Sequence, residues 1–479
     1  MKILIVNPPR YKGINVRRDE RSADFLENEV SPFYQGAVLA QWLRLNNNCQ
    51  VEVLDANGLN LDYGKVNIWL KENQDAQFVV VKGADDTLYH DALVCTLAKH
   101  LGIVTIFWEP IISPALPERV LEKLPDIDYL VLGEAELTVS DILNNKTSAK
   151  GIAYWENKQI KISPRLETER IKDIDSLPIP EFNDLPYKSY KAWFGESPWM
   201  TIFTSRGCIG TCFYCLIGGN TCFRGYGRKL RLMSAERVVE EIEILVNKYH
   251  IPHITFWDDC FTNSLKRVEN ICEQILKKNI KFRWSCMSRV DHMDRNLLKL
   301  MKNAGLCRIG FGIESGNQRV LDSIPKKITI EDNIKTPLLA KSLGIWVWIF
   351  LLLGLPEEDE NSLQDTINIL KKIRPHHLCC GTATPFPGTK YYEICQQENL
   401  IKDDVFEIIT GGMQTGGGQV ADTRYVKAEV VNKYLKKLHE TSNLHSVSSL
   451  HNVINRIKPI VPKFIRNRLK SILEKAASI

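Results

Sequence analysis

A chain of 479 residues exceeds what one hydrophobic core ordinarily organises, so two or three domains are expected. With 44% apolar and 25% charged residues, the composition is that of a folded globular protein and excludes a disordered or fibrous one. A net charge of +5 is too small to point to nucleic acid, and the longest apolar run, Ile345 to Leu353, falls well short of the roughly 20 residues that span a bilayer.

The opening MKILIVNPPR breaks at two prolines with no small-residue cleavage site behind it, so no secretory leader is read. Thirteen cysteines in a long chain without a leader point to a reducing, cytoplasmic setting rather than a disulfide scaffold. Cys95, Cys272, Cys286, Cys307, Cys379 and Cys380 lie in apolar stretches and read as small buried hydrophobes.

Residues 1–146 alternate short apolar runs with helical spacing. Strands are expected at Lys2–Asn7, Val51–Leu54, Phe78–Val81, Val104–Trp108 and Tyr129–Leu132. This is the pattern of a doubly wound, Rossmann-like parallel sheet, which binds ligands at the carboxyl ends of its strands. The loops after residues 8, 56, 83, 109 and 133 are therefore the expected binding edge. Residues 147–197 lose the rhythm, and Leu177-Pro-Ile-Pro and Leu185-Pro-Tyr read as an ordered linker.

From residue 198 to about 400 the alternation returns. Strands are expected at Met200–Thr204, Ile254–Trp257, Phe282–Cys286, Arg308–Ile313, Ile345–Leu353 and Leu378–Thr384, with helices such as Ala235–Lys248, Arg267–Lys278 and Asn296–Ala304 between them. Successive β/α units predict a partial (β/α)6 barrel, although the period alone also suits a complete barrel, and active residues belong at the strands' carboxyl ends. Residues 401–479 read as a helical region. Gly411–Gly418 is too glycine-rich for a regular element, lacks the Lys-Ser/Thr of a phosphate loop, and suits a lid or a plain connection. Between Asn455 and Ile479 there are seven Lys or Arg and one acid, and Ile465, Leu469, Ile472, Leu473 and Ala476 share one helical face. Such a tail suits peripheral contact with an anionic membrane surface, or packing on the barrel with its lysines solvated.

The segment with the most chemistry is Thr204-Ser-Arg-Gly-Cys208-Ile-Gly-Thr-Cys212-Phe-Tyr-Cys215, directly after the first barrel strand. Thiolates are the usual ligands of iron–sulfur clusters, and three of them leave one iron of a [4Fe–4S] cluster open. If Cys222 adds a fourth ligand, the alternative is structural zinc or a closed electron-transfer cluster.

Cys208-x-x-x-Cys212-x-x-Cys215, with the aromatic Tyr214 before the last cysteine, resembles the radical S-adenosylmethionine superfamily. The resemblance extends through Phe256-Trp-Asp-Asp-Cys-Phe, Ser288-Arg289-Val-Asp, Gly312-Ile-Glu314-Ser315-Gly316, Gly354-Leu-Pro-Glu357 and Pro385-Phe-Pro-Gly-Thr389, each after its strand. It implies that Cys208, Cys212 and Cys215 hold the cluster and that its open iron chelates S-adenosylmethionine. One electron from an external donor, such as flavodoxin or ferredoxin, then cleaves the cofactor to a 5′-deoxyadenosyl radical. It implies Tyr214, Asp258, Ser288, Arg289, Glu314 and Gly354 as S-adenosylmethionine contacts, with adenine against the Gly354 loop. Plainer roles exist for each residue: Asp258 and Asp259 as helix caps, Glu314 as a buried ion-pair partner, the glycines as turns.

Ile3-Val-Asn-Pro-Pro, Val53-Leu-Asp-Ala-Asn and Tyr129-Leu-Val-Leu-Gly-Glu-Ala-Glu136 are similar to the cobalamin-binding domain that precedes one subfamily's barrel. This similarity implies cobalamin contacts at Asp86, Thr87, Glu109, Gly133 and Glu134. The D-x-H-x-x-G motif of the methionine-synthase type, whose histidine ligates cobalt, is absent, as in some members of the subfamily. The implied function is methyl transfer to an unactivated carbon or phosphorus centre of a natural-product, lipid or peptide substrate. The alternatives are a non-methylating radical enzyme with a vestigial front domain, such as an oxidative cyclase or ring-rearranging enzyme, and a metal-stapled binding protein without turnover. No catalytic side chain beyond the cofactor contacts is named by the sequence.

Overall fold

The computed structural model describes residues 1–19, 29–144, 149–217, 229–411 and 418–445. Cys222, most of the Gly411–Gly418 loop and the basic tail lie outside them.

The front domain is built on β1 (Lys2–Asn7), β2 (Gln50–Asp55), β3 (Phe78–Lys82), β4 (Val104–Trp108) and β5 (Tyr129–Val131), parallel and in the order β2-β1-β3-β4-β5. These strands are continuous apolar runs because helices bury both faces of the sheet. Helices α1 (Tyr34–Asn47) and α5 (Ala135–Leu143) join one core, and α2 (Tyr63–Glu72), α3 (Leu88–Lys99) and α4 (Pro117–Lys123) the other. The strand order reverses between β1 and β3, so the switch point lies where their following loops part.

The sheet continues into the segment expected as linker. β6 (Ile152–Glu156) and β7 (Gln159–Ser163) add to β5 as an antiparallel hairpin. Its two-residue turn, Asn157-Lys158, has both φ angles positive, at 49° and 64°. That turn twists with its strands, and Asn is at ease there. In β7 the polar Gln159, Lys161 and Ser163 alternate with Ile160 and Ile162, so this strand lacks the apolar run that marked the buried ones. The rest of the linker is ordered by anchors: Phe182 is buried, and the Tyr190 hydroxyl donates to Asp55 Oδ2 at 2.7 Å.

The second domain comprises β8 (Trp199–Ile202), β11 (His253–Phe256), β12 (Arg283–Ser288), β13 (Leu306–Glu314), β14 (Trp346–Leu353) and β15 (His377–Thr382), with a ribbon of β9 (Ser205–Arg206) and β10 (Arg231–Leu232) above β8. The six long strands are parallel in the order β15-β14-β13-β12-β11-β8 and stay open, with β8 and β15 as edges: a partial barrel. Helices α6 (Ala235–Glu243), α7 (Leu265–Lys277), α8 (Arg295–Asn303), α9 (Gln318–Ser323), α10 (Ile330–Ser342) and α11 (Glu360–Ile373) make the crossovers. Along β14, Val347, Ile349, Leu351 and Leu353 are buried, whereas Trp346, Phe350 and Leu352, on the other face, are half-buried. The helices cover the first face; the second is the concave inside.

Three further helices follow: α12 (Lys390–Gln397), α13 (Val405–Thr410) and α14 (Ala428–His445). Phe406 of α13 packs into the front domain's core, with the Arg119 guanidinium stacked 4.4 Å over its ring. Val431, Leu435 and Leu438 of α14 are buried in the barrel's core. The end of the described chain thus binds both domains together. Among the described residues, no helix is long and apolar enough to cross a membrane.

Candidate active site

The cysteine loop leaves β9 at the mouth of the partial barrel. Its root is held by Asp258, which follows β11 and is 1% exposed. Asp258 Oδ1 accepts from the Thr204 N–H at 2.7 Å and the Ser205 hydroxyl at 2.8 Å, while Oδ2 accepts from the Thr204 hydroxyl at 2.6 Å. Arg267 completes the strut, donating to Thr204 Oγ1 at 2.6 Å and to the Met233 carbonyl at 2.6 Å. Burial pushes the Asp258 carboxyl upward, against the pull of Arg267 and these donors.

Within the loop, the Gly210 N–H points at Cys208 Sγ at 3.3 Å and the Ile217 N–H at Cys215 Sγ at 3.5 Å. Backbone donors aimed at sulfur favour thiolates, the form that binds iron. Burial raises Cys212 to about 12, so it is a thiol until a metal takes the proton's place. Among the described residues, no three Cys, His, Asp or Glu side chains converge closely enough for a single metal ion. A four-iron cluster is larger, and three thiols around it need not meet at a point. The donor set therefore fits such a cluster.

The structure gathers several of the expected contacts round this loop. The Thr211 hydroxyl donates to the Pro325 carbonyl at 3.0 Å, which brings up Lys326, and Lys326 Nζ reaches Glu314 Oε1 and the Gly312 carbonyl, each at 2.6 Å. Glu314 has φ +58°, a left-handed conformation that a non-glycine residue adopts at a cost of order 1–3 kcal/mol. Arg289 pairs with Asp291 at 2.8 Å and donates to the Lys326 carbonyl at 2.5 Å. Ser288 exchanges a hydrogen bond of 2.8 Å with Thr262, beside His292. Tyr214 lies against Phe213, whose carbonyl accepts from the Tyr391 N–H at 3.1 Å. Gly354 stands at the end of β14 with φ +85°. Lys326 carried no signal in the sequence, since it lies in a plain Pro-Lys-Lys turn.

On the front sheet, the switch point is closed by Arg18. Its guanidinium meets Asp91 at 2.6 and 2.8 Å and the Pro8 and Pro9 carbonyls at 2.9 Å, stitching the loop after β1 to the first turn of α3. Arg17 pairs with Glu29 and stacks 5.0 Å over Trp257, beyond β11, and so links this edge to the barrel mouth. Of the residues expected at the edge, Thr87 donates to Asp91 at 2.7 Å, and Glu109 accepts three backbone N–H groups at 2.6–2.8 Å. The Gly133 carbonyl takes the Trp108 indole N–H at 3.0 Å, and Asp86 is fully buried. Glu134 faces away from the edge, toward the cysteine loop. It pairs with Arg206 at 3.1 Å and with Arg231, and Arg206 also meets Glu136 at 2.5 Å.

Two neighbours that the sequence reading passed over are more telling. Lys82 Nζ and both oxygens of Asp85 are fully buried with no hydrogen-bond partner among the described residues. The Lys82 ammonium sits 4.6 Å from the Trp108 ring, and burial lowers it to about 8 despite Asp19 and Glu109 nearby. Orphaned polar groups at a switch point are what a polar ligand would satisfy.

Residues 202–370 match the model of the Radical SAM superfamily. The matched region is a radical S-adenosylmethionine domain, which implies a [4Fe–4S] cluster and S-adenosylmethionine as its cofactors. The fold as a whole, a front sheet followed by a partial barrel, is that of solved cobalamin-dependent radical enzymes. The solved structure of the cobalamin-dependent S-adenosylmethionine radical enzyme OxsB, with aqua-cobalamin and S-adenosylmethionine bound, superposes with a TM-score of 0.70 at 18% identity, covering 100% of this chain and 71% of that one. An uncharacterised methyltransferase of Pyrococcus horikoshii is 27% identical over 98% of both chains. The anaerobic magnesium-protoporphyrin IX monomethyl ester cyclase of Cereibacter sphaeroides is 26% identical over 57% of this chain and 46% of that protein.

Proposed function

We propose that the protein moves a methyl group from S-adenosylmethionine to an unactivated carbon or phosphorus centre of a small-molecule, lipid or peptide substrate, using cobalamin seated on the front sheet. The observation that carries this reading is the bolt between the two ligand-binding edges. Glu134 and Glu136, at the start of α5, pair with Arg206 and Arg231 in the ribbon that flanks the cysteine loop. The switch point and the cluster loop are thus fixed relative to each other, as a relay between two cofactors requires.

In this reading Cys208, Cys212 and Cys215 ligate the cluster, and Tyr214, Ser288, Arg289, Glu314 and Gly354 meet S-adenosylmethionine. Asp258 supports the loop from below. Lys82, Asp85 and Asp86 with Thr87 line the cobalamin edge, and the sequence holds no D-x-H-x-x-G histidine to ligate cobalt. When bound, the cluster supplies the electron that cleaves S-adenosylmethionine, and cobalamin carries the methyl group. The electron comes from an external flavodoxin or ferredoxin.

The similarity to the Cereibacter cyclase favours one second reading, radical chemistry without methylation. Methyl-deuterated S-adenosylmethionine separates the two. A methyltransferase gives labelled product with one 5′-deoxyadenosine and one S-adenosylhomocysteine per turnover. Bound cobalamin should show a base-off spectrum without histidine ligation. Product formed with 5′-deoxyadenosine alone, by protein that binds no cobalamin, would end the methyl-transfer reading and leave the radical one standing.

A further inference from the structure

The loop Gly354-Leu-Pro-Glu-Glu358, after β14, is held by a part of the chain that lies outside the barrel. Gly354 has φ +85°, and its N–H goes to Glu358 Oε2 at 2.5 Å. Its carbonyl accepts from the Tyr391 hydroxyl at 2.9 Å and from Gln419 Nε2 at 3.0 Å. A Cβ at Gly354 would stand 2.1 Å from Gln419 Oε1, so only glycine allows this approach.

The next bonds repeat the pattern. The Pro356 carbonyl accepts from the Arg424 N–H at 3.0 Å, and the Glu358 carbonyl from the Thr423 hydroxyl at 2.8 Å. Carbonyls 354, 356 and 358 are therefore all taken by residues 419–424. This strap is itself anchored: the Gly418 carbonyl accepts from Thr382 Oγ1 at the end of β15 at 3.0 Å, and the Gln419 N–H donates to Asn432 Oδ1 of α14 at 2.6 Å. Arg424 adds pairs with Glu357 and, at 2.5 Å, with Glu398. Gln419 is 6% exposed, and its second N–H goes to the Ala421 carbonyl at 2.7 Å.

We propose that the strap 418–424 is a component of the S-adenosylmethionine site, with Gln419 the positioning residue that fixes the shape of the Gly354 loop. This rests on the reading of that loop as the adenine cradle. A left-handed glycine followed by Leu-Pro has no secondary structure to hold it. Apart from the local bond from the Glu358 N–H to the Leu355 carbonyl, its carbonyls are ordered by partners brought from 37 or more residues away. Without the Gln419 amide, Gly354 keeps one carbonyl partner and the buried Ala421 carbonyl loses its donor. The loop then samples other shapes, and the cofactor must select one of them at a cost in affinity.

The test uses the full chain with its cluster reconstituted anaerobically. The KM for S-adenosylmethionine and kcat of reductive cleavage to 5′-deoxyadenosine are compared in the parent, Gln419→Met and Thr423→Val. Losing a buried hydrogen bond of this kind should raise KM about ten-fold in Gln419→Met, and less in Thr423→Val. In both variants kcat should stay within about two-fold of the parent, because nothing that reacts is touched. Iron content should match the parent. Unchanged KM in both variants overturns the proposal, as does a joint fall of kcat and iron content, which marks general collapse. If Gln419→Met does not fold, Thr423→Val alone decides. A parent that neither binds nor cleaves S-adenosylmethionine defeats the functional reading and this inference with it, whereas a parent that cleaves beside variants with its own KM defeats this inference alone.

Discussion

Cys208, Cys212 and Cys215 receive different treatment from the fold. Cys208 and Cys215 each face a backbone N–H, whereas Cys212 is the buried one. Replacing any of the three by Ala should abolish cluster assembly and cleavage of S-adenosylmethionine. Cys222→Ala should retain about four irons and four sulfides per chain, because three thiolates suffice for a cluster with one open iron. Loss of iron in Cys222→Ala would instead mark a closed four-thiolate site. Glu358 gives a pH-dependent prediction. Burial raises its carboxyl from 4.5 to about 8, so the folded protein keeps a proton that the unfolded chain releases above 4.5. Its contribution to stability is complete below pH 4.5 and is lost as pH rises toward 8. Glu358→Gln removes the titration and keeps an acceptor for the Gly354 N–H. Chemical denaturation at pH 5 and pH 8 should show a smaller alkaline loss in the variant than in the parent, and parallel losses would refute the assignment.

Among the elements, the ribbon β9–β10 is too short to hold itself in place. Two residues on each side cannot offset the entropy of ordering the cysteine loop between them, so its anchorage comes from outside, from Asp258 and Arg267 at Thr204 and Ser205 and from the start of α5. Glu134 is 2% exposed at its side chain, against 5% for Arg231 and 15% for Arg206. Removing one partner of such a pair leaves buried charge uncompensated, at a cost of about 3–5 kcal/mol. Glu134→Ala should lower stability by that order in urea unfolding, and reconstituted iron should fall with it. A variant that loses the stability but loads the cluster fully would show that the bolt serves the fold alone. The β6–β7 hairpin teaches a different lesson at this scale. Asn157-Lys158 is a hairpin turn by its dihedral angles, but Gln159-Ile-Lys-Ile-Ser after it alternates polar and apolar side chains and lacks the apolar run of a buried strand.

In the whole molecule, the C-terminal region does two separable jobs. Residues 418–445 belong to the core and to the Gly354 loop, through Val431, Leu435 and Leu438 and through the strap. The basic tail beyond them lies outside the described residues. A chain ended after about Leu450 should therefore cleave S-adenosylmethionine at nearly the parent rate. If the tail is a membrane contact, sedimentation with anionic vesicles at low salt should disappear with it. Equal sedimentation of both forms would remove that role, and a large loss of cleavage would place the tail nearer the site than its distance along the chain suggests.

The sequence by itself determined the parallel strands of both sheets and the position of the cysteine loop after the first barrel strand. Each of these is written locally: a strand buried on both faces is a short apolar run, and Cys208, Cys212 and Cys215 lie within one turn of chain. The expected barrel strands fall within a few residues of those observed, as at Ile345–Leu353 against Trp346–Leu353. What only the tertiary structure decided was which polar group meets which. Arg18 finds Asp91 across 73 residues, Gln419 finds Gly354 across 65, and Arg231 finds Glu134 across 97. An isolated Arg, Gln or Glu in a loop looks like a solvated side chain. It becomes a strut only when packing removes its water and leaves one partner within reach, and no local pattern records which partner that will be.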